Sequence, residues 1–220
     1  AEKIAVDGPR KVPSDIISIA AKRLEKAKRA VLLVNGTAVR EKGLEALARI
    51  REKTGATIYL STFYPRSQRG EGRVEFPKLP YFPDQIYNAL DGCDDLILIG
   101  QDKPVTFFAY PGKKSDCTPE GVEPLKLTTP ADDQLAALEA LADEVGAPPI
   151  NKLQTDPRNK RIRPELQSGE LTPRSAGHAI AALLPENAII ADESTTSGAT
   201  SYMLTANAPQ HDWLAVTGGA

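Results

Sequence analysis

Hydrophobic positions along the chain fall into two alternating patterns, continuous apolar runs and stretches with helical spacing. Continuous runs are typical of strands that are buried on both faces of a sheet. They predict strands over residues 30–34, 57–60, 95–99 and 123–127. Helical spacing predicts helices over residues 14–28 (with Ser14 as the cap), 40–53, 83–90 and 132–145. Because strands alternate with helices, we predict a doubly wound, Rossmann-like α/β domain with a parallel sheet.

Two segments interrupt this pattern. Residues 61–82 contain three prolines and several aromatic residues, which predicts a long crossing loop. From residue 146 to 169, prolines alternate with Lys and Arg and no hydrophobic period is visible, which indicates a linker.

A second unit begins after the linker. Thr172 and Pro173 suit the cap and the first turn of a helix. Its predicted apolar stripe consists of Ala176, Ile180, Leu183 and Leu184. Strands are predicted at 187–190 and 213–216. We therefore predict a central domain at 1–147, a linker at 148–170, and the first elements of a second α/β domain at 171–220. About 50 residues bury too little surface for an independent core, so we expect the chain to be a portion of a longer protein.

Composition narrows the function classes. The 220 residues are 41% hydrophobic and 25% charged, with a net charge of −2, which argues against a nucleic-acid surface. Without an apolar run of 18 residues or a signal-peptide pattern, we predict no membrane association and a cytoplasmic location. Cys93 and Cys117 lack metal-like spacing and are predicted to be free thiols.

The segment "ADESTTSGATSYM", residues 191–203, carries the most distinctive chemistry. Two acids and four hydroxyl residues lie where a predicted strand passes into a predicted helix. One interpretation is capping, because Ser and Thr side chains accept hydrogen bonds from the first turn of a helix. Four hydroxyls followed by a glycine also suit an anion held at a helix N-terminus. The residue types alone leave both interpretations open.

The ends of the central strands carry no phosphate-binding fingerprint. Neither GxGxxG nor GxxxxGK[ST] occurs, and the loops at 35–39 and 100–105 lack a glycine cradle. We therefore predict no tightly bound nucleotide there, although Arg40 or Lys103 could attract an anion. His178 is predicted on a helix face, and His211 in a solvated loop.

Two stretches, "LTPRSAGHAIAALLPENAIIADESTTSGATSYM" and "WLAVTGGA", resemble the thiamine-diphosphate enzymes of the acetolactate synthase and benzoylformate decarboxylase group. Those chains contain a pyrimidine-binding domain, a central domain and a diphosphate-binding domain. Residues 1–147 resemble the central domain, and residues from about 170 resemble the first quarter of the diphosphate-binding domain.

The resemblance implies a cofactor site. It implies that Glu193 and Ser194 line the cofactor, that Thr195 and Thr196 contact its diphosphate, and that Gly218 and Gly219 begin the glycine turn beside its aminopyrimidine. It further implies thiamine diphosphate and Mg²⁺ as cofactors, a 2-oxo acid as substrate, and a homodimer or homotetramer.

The chain also departs from the family pattern. The Gly-Asp-Gly…Asn metal motif does not occur, and the activating glutamate belongs to the N-terminal domain, so we predict no catalytic residue and no metal ligand within this sequence. The absence of a central-domain histidine favours carboligation over decarboxylation. The chain alone is therefore expected to be inactive.

An alternative is a stand-alone module that binds FAD or ADP. A third interpretation is a central domain that only spaces the catalytic domains.

Overall fold

Four parallel strands form the first sheet of the protein. The computed structural model describes residues 7–194 and 196–215. The elements of the first unit are α1 (Ser14–Lys26), β1 (Ala30–Val34), α2 (Glu41–Thr54), β2 (Thr57–Leu60), β3 (Arg66–Arg69), α3 (Pro83–Leu90), β4 (Asp95–Ile99), β5 (Leu125–Thr128) and α4 (Gln134–Glu144). The sheet has the order β2-β1-β4-β5, and all its pairs are parallel. The predicted α/β class and parallel sheet are confirmed.

Side chains of the two central strands alternate between two apolar clusters. Leu32 and Ile97 belong to the larger cluster, which contains the buried faces of α1, α2 and α4. Leu33 and Leu96 belong to the smaller one, which includes Ile86 of α3. This alternation follows from the two-residue period of a strand. Both faces of the sheet are therefore covered, which is why β1 and β4 are apolar without interruption.

Helix boundaries lie within a few residues of those predicted. Ser14 was predicted to cap α1, but it is the first helical residue, and Pro13 holds the cap position without a side-chain hydrogen bond. Gly55 ends α2 in the left-handed conformation, with φ of 72°. Cys93 and Cys117 are buried free thiols, as predicted. None of the described helices is long and apolar enough to cross a membrane.

The predicted loop at 61–82 contains a strand, so that prediction is wrong. β3 pairs antiparallel with β7 (His211–Ala215), and β7 pairs parallel with β6 (Ala188–Asp192). This second sheet therefore takes one of its three strands from the first unit. The sequence "RSQR" lacks apolar alternation, and its partner strand lies far away along the chain, so local hydrophobic patterning could not reveal the pairing.

The second unit also contains two helices, which pack against each other. α5 (Pro173–Leu183) begins with the predicted cap Thr172, whose side chain accepts from Ser175 in a reciprocal capping box. α6 (Gly198–Leu204) contacts α5, where a Cβ on Gly177 would lie 3.3 Å from the Ser201 backbone. The predicted stripe of α5 is wrong at two positions, since Ile180 is 41% and Leu183 65% exposed. The close approach of α6 instead buries the small residues of α5.

The segment at 148–170 is mostly irregular, with one short 3-10 turn at Ile150–Lys152. It nevertheless contacts both units. The Asn159 amide donates to Glu75 Oε2 at 3.2 Å and to the carbonyl of Ala206 at 2.9 Å. A side chain that bonds both sides fixes their relative position more firmly than a flexible linker would.

Gly70 directly follows β3, at a place where the backbones of the two units lie close together. Its φ is 105°, and an added Cβ would lie 2.6 Å from the carbonyl oxygen of Pro209 and 2.7 Å from that of Ala208. Glu71 N donates to Ala208 O at 2.8 Å, which holds the two backbones together.

We expect Gly70→Ala to lower the free energy of unfolding by about 3 kcal/mol, because backbone strain and steric overlap act together. Gly112→Ala is the matched control, since Gly112 has a φ of 73° but open space around its Cβ position; it should cost about 1 kcal/mol. Urea denaturation measures both. Equal losses for the two variants would contradict the proposed close approach.

Candidate functional site

The hydroxyl-rich turn lies between the end of β6 and the start of α6. β6 ends at Asp192, α6 begins at Gly198, and Glu193, Ser194 and Thr196 are exposed between them. Thr196 therefore lies beside a helix start directly after a strand, as the sequence predicted. Thr195, Gly218 and Gly219 lie outside the described residues. The contact of all these residues with a cofactor stays a prediction.

Among the described hydroxyl residues of this turn, Ser194, Thr196 and Ser197, none caps the start of α6. Ser197 holds the cap position, but its side chain makes no capping hydrogen bond. Ser194 instead bonds backwards: its N–H donates to Asp192 Oδ1 at 2.9 Å, and its hydroxyl donates to the same oxygen. The turn is thus shaped by Asp192, which leaves the exposed Thr196 and Ser197 side chains beside the helix start.

Asp192 is anchored on the neighbouring strand. Its Oδ2 accepts a hydrogen bond of 3.1 Å from the indole Nε1 of Trp213 in β7. Trp213 is almost completely buried and meets the ring of Tyr202 edge-on, with centroids 5.1 Å apart. Through this bond the conformation of the turn depends on how β7 is packed.

Behind the turn lies a group of charged and aromatic side chains that we call the boundary cluster: Tyr64, Arg69, Glu75, Lys78 and Tyr202. Arg69 is 2% exposed and pairs with Glu75 Oε1 at 2.5 Å. Its Nη2 also donates to the carbonyl of Tyr202 at 2.8 Å, and its guanidinium carbon lies 3.4 Å from the centroid of the Tyr202 ring. Arg69 comes from β3, so a side chain of the first unit is buried against α6 of the second.

Lys78 places a second cation on the same ring. Its Nζ lies 3.7 Å from the Tyr202 centroid and 4.7 Å from the Tyr64 centroid. Burial, reinforced by the positive charge of Arg69, lowers the pKa of Lys78 from 10.5 to about 8, although Asp192 and Glu75 oppose the shift. Tyr64 and Tyr202 share a hydroxyl–hydroxyl hydrogen bond, and burial raises the pKa of both.

His211 was predicted to be solvated, and this is wrong. It is the first residue of β7 and is 1% exposed, with Nδ1 within 2.8 Å of the Pro209 carbonyl oxygen. Burial lowers its pKa. Pairing of β7 with β3 draws His211 inside because it lies opposite Arg69. His178 lies on α5 as predicted, and both its ring nitrogens are buried without a hydrogen-bond partner among the described residues.

The boundary cluster was missed by sequence reasoning. Its members come from residues 64 to 78 and from α6, and no spacing rule links positions so far apart. A signal did exist: cationic residues interleaved with aromatic ones within the proline-rich segment are an unusual composition for a solvated loop.

A separate cavity of about 370 Å³ lies at the carboxyl ends of the central strands. Its lining includes Ser61, Gln101, Phe63 and Phe107. Lys103, which was predicted to attract an anion, forms an ion pair with Asp116. This pairing neutralises the cation nearest to the cavity.

Gln134 fills the neighbouring loop at 35–39. Its Oε1 accepts from the backbone N–H of Ala38 at 2.9 Å and from the hydroxyl of Thr37 at 3.1 Å. An added Cβ on Gly36 would lie 2.6 Å from its Nε2. The donors that a phosphate would need are therefore engaged by a side chain. No cluster suited to a metal ion occurs among residues 7–194 and 196–215.

The lowered pKa of Lys78 makes its contribution to stability depend on pH. Between pH about 8 and 10.5 the unfolded chain binds more protons than the folded one, so the free energy of unfolding rises with pH in that window. We expect the free energy of unfolding of the wild type to rise by about 1–2 kcal/mol relative to that of Lys78→Met between pH 7.5 and 9.5. Lys26→Met, at an exposed position of α1, is the control and should show no such trend. A Lys78→Met difference that is constant with pH, measured by urea denaturation, would count against the buried amine.

Comparisons with known proteins place these features in context. No family model matches the chain. A protein of Mycobacterium tuberculosis described as "Putative acetolactate synthase large subunit IlvX" is 43% identical over 197 residues, which cover 90% of this chain and 37% of that protein. The chain thus spans little more than a third of the curated relative that it matches.

Solved structures share the fold. A "putative thiamin diphosphate-dependent enzyme" from Mycobacterium smegmatis superimposes with a TM-score of 0.67 at 18% identity, covering 100% of this chain and 45% of that one. A thiamine diphosphate-dependent 4-hydroxybenzoylformate decarboxylase from Rhodococcus jostii RHA1 superimposes with a TM-score of 0.62 at 18% identity, covering 98% of this chain and 42% of that one. Benzoylformate decarboxylase from Polynucleobacter necessarius superimposes with a TM-score of 0.60 at 13% identity, covering 99% of this chain and 43% of that one.

The superpositions extend over both units and the segment between them, so the arrangement as a whole, and not the central sheet alone, is shared with these structures. The sequence match extends over nine-tenths of the chain. Together they confirm the predicted resemblance: in sequence and in fold, this chain is similar to part of the thiamine-diphosphate-dependent enzymes of the acetolactate synthase and benzoylformate decarboxylase group.

Proposed function

We propose that the chain is part of a thiamine-diphosphate-dependent enzyme that acts on 2-oxo acids by acetolactate synthase-like carboligation. The observation that carries this proposal is the 43% identity to an acetolactate synthase large subunit-like protein over 90% of the chain. The decarboxylases among the structural neighbours share only 13–18% of residues and support the fold alone. In this proposal residues 1–147 are the central domain, and residues from 171 begin the diphosphate-binding domain.

The turn after β6 fits a bound diphosphate. A Cβ on Gly198 would lie 1.8 Å from Ser194 Oγ, so only glycine allows the backbone to fold this closely around the start of α6. Beside it lie the exposed side chain of Thr196 and the start of α6, whose first N–H groups have no partner within the helix and could donate to an anion. In this proposal Glu193 and Ser194 would line the cofactor, Thr195 and Thr196 would contact its diphosphate, and Gly218 and Gly219 would begin the glycine turn beside its aminopyrimidine.

Asp192 and Thr196 have separate tasks in this proposal. Thiamine diphosphate, when bound, supplies a carbon nucleophile for the carbonyl of a 2-oxo acid. Asp192 fixes the turn through Ser194 and Trp213, and Thr196 would donate a hydrogen bond to a phosphate oxygen of the bound cofactor. We place the Mg²⁺ ligands and the activating glutamate in other parts of the enzyme, because the family's metal motif does not occur in this sequence.

A stand-alone FAD or ADP module gains no support from the comparisons, and Gln134 engages the donors of the loop at 35–39. The assembly and location that the resemblance implies, a cytoplasmic homodimer or homotetramer, belong to the same proposal.

The 220-residue chain should show no micromolar binding of thiamine diphosphate with Mg²⁺ in isothermal calorimetry. A helix start contributes about 0.3–1 kcal/mol toward an exposed anion, whereas association costs at least about 4 kcal/mol. Micromolar affinity of this chain would show that residues 1–220 already form a complete cofactor site.

A chimera tests the assignment of the turn. In the Mycobacterium tuberculosis relative, this sequence would replace the matching part, and cofactor affinity would be measured by calorimetry. We expect Thr196→Val to weaken binding by about 2 kcal/mol, the loss of one hydrogen bond to a charged group.

The matched control is Thr57→Val in β2, which makes the same chemical change far from the turn and should leave affinity unchanged. If Thr196→Val and Thr57→Val bind the cofactor equally well, the hydroxyl does not contact the diphosphate. Acetolactate formation from pyruvate, compared with release of free aldehyde, separates carboligation from decarboxylation.

A further inference from the structure

Aromatic side chains are concentrated at one place on the surface of the first unit. Four of the five phenylalanines of the chain lie there, and each of them is between 38% and 58% exposed. Together with two tyrosines they make a connected series of ring contacts, with centroids 4.8–6.5 Å apart. Contiguous exposed apolar surface of this kind marks binding sites. We call this group the aromatic surface; it consists of Phe63, Tyr81, Phe82, Phe107, Phe108 and Tyr110.

Three of these rings border the cavity at the carboxyl ends of the central strands. Phe63, Tyr81 and Phe107 contact one another pairwise, with centroids 5.4–6.0 Å apart, and all three line the cavity. The cavity of about 370 Å³ is within the usual size of small-molecule sites, about 300–1,000 Å³. Ligands of parallel α/β sheets bind beyond the carboxyl ends of the strands. The aromatic surface is therefore concave where it meets the sheet, and a flat ring could pack against it.

Hydrogen bonding within the cavity leaves one donor unused. The hydroxyls of Thr62 and Thr106 donate to backbone carbonyl groups at 2.9 and 2.8 Å, and the Ser61 hydroxyl donates to Gln101 Oε1 at 2.7 Å. The Nε2 of Gln101, in contrast, is buried and has no hydrogen-bond partner among the described residues. A buried donor without a partner costs free energy. A ligand that carries an acceptor would supply the missing partner.

The charges at the cavity are already compensated. Asp102 and Lys103 are the charged residues of the described lining. Asp102 pairs with Lys126, and Lys103 pairs with Asp116. A charged ligand group would lose hydration here without gaining a free partner of opposite charge. The cavity therefore favours an uncharged ligand.

We propose that this cavity binds a small, uncharged aromatic compound that carries a carbonyl group. The ring of the ligand packs against Phe63, Tyr81 and Phe107 in offset or edge-to-face contact. Its carbonyl oxygen accepts a hydrogen bond from Gln101 Nε2 after a small rotation of the amide. Binding is reversible and involves no chemical step, and the inference does not depend on thiamine diphosphate.

The test titrates the isotope-labelled 220-residue protein with benzamide and follows the chemical shifts by NMR. We expect saturable binding with a dissociation constant of about 1 mM or tighter, together with a shift of the Gln101 side-chain amide signal. Cyclohexanecarboxamide has the same amide without an aromatic face and should bind at least about threefold more weakly. Benzoate carries a charge and should bind at least about tenfold more weakly. Absence of saturable benzamide binding up to about 10 mM, or equal affinity for either of the other compounds, overturns the proposal.

Two pairs of variants locate the site. Phe107→Leu removes a ring from the lining and should weaken benzamide binding about fivefold. Phe108→Leu makes the same change at a similarly exposed ring outside the lining and should leave the affinity unchanged. Gln101→Met removes the amide donor and should also weaken binding about fivefold, whereas Gln167→Met, at an exposed position, should not.

The exposed ring of Phe107 contributes little to the core, so Phe107→Leu decides the question if circular dichroism shows that Gln101→Met does not fold. Equal losses of affinity in Phe107→Leu and Phe108→Leu would show that benzamide binds elsewhere, and the proposal would be wrong.

ADP tests the class of ligand. It combines an aromatic base with a charged diphosphate, for which the described lining offers no unpaired cation. We expect ADP at about 1 mM to leave the Gln101 side-chain signal in place. ADP that shifts this signal and binds more tightly than benzamide would identify a nucleotide site and overturn the proposal.

Discussion

The pairing of β3 with β7 is the contact on which the arrangement of the protein depends. Backbone hydrogen bonds join the two units into a shared sheet, and the pairing carries Arg69 into the interior beside His211. A buried guanidinium is costly unless its donors are satisfied. Glu75, Thr205 and the Tyr202 carbonyl meet that requirement, and two of these three lie in or next to α6. The position of α6, and of the turn before it, is therefore coupled to the first unit.

This coupling gives the first unit a role beyond spacing. Trp213 lies in β7, contacts Tyr202 and holds Asp192, so β3, β7, α6 and the hydroxyl turn form a continuous series of contacts. A change in β3 would be transmitted to the turn through side chains that are already well packed. In the proposed enzyme, the central domain thus helps to define the geometry at the diphosphate, although it does not itself provide the hydroxyls.

How much could be predicted from the sequence differs between the two sheets. β1 and β4 are buried on both faces, so their apolar runs identify them without knowledge of any partner. β3 is polar and acquires its structure from β7, and the buried face of α5 consists of small residues such as Gly177 and Ala181 that carry little hydrophobic signal. The turn was predicted from its residue types because hydroxyls and glycine have local roles. Lys78 was missed because its environment is assembled from residues distant in sequence.

The shared sheet also means that the irregular segment at 148–170 separates the two units along the chain but not in space, since β3 pairs with β7. A gene rearrangement with its breakpoint in the irregular segment at 148–170 would transfer β6 and β7 but leave β3 behind. The recipient would have to offer a strand that matches His211 and Trp213 in register, together with a cation able to stack on Tyr202. Recombination between relatives is therefore expected to preserve the two units as one inherited block, with substitutions in β3 and β7 accumulating in concert.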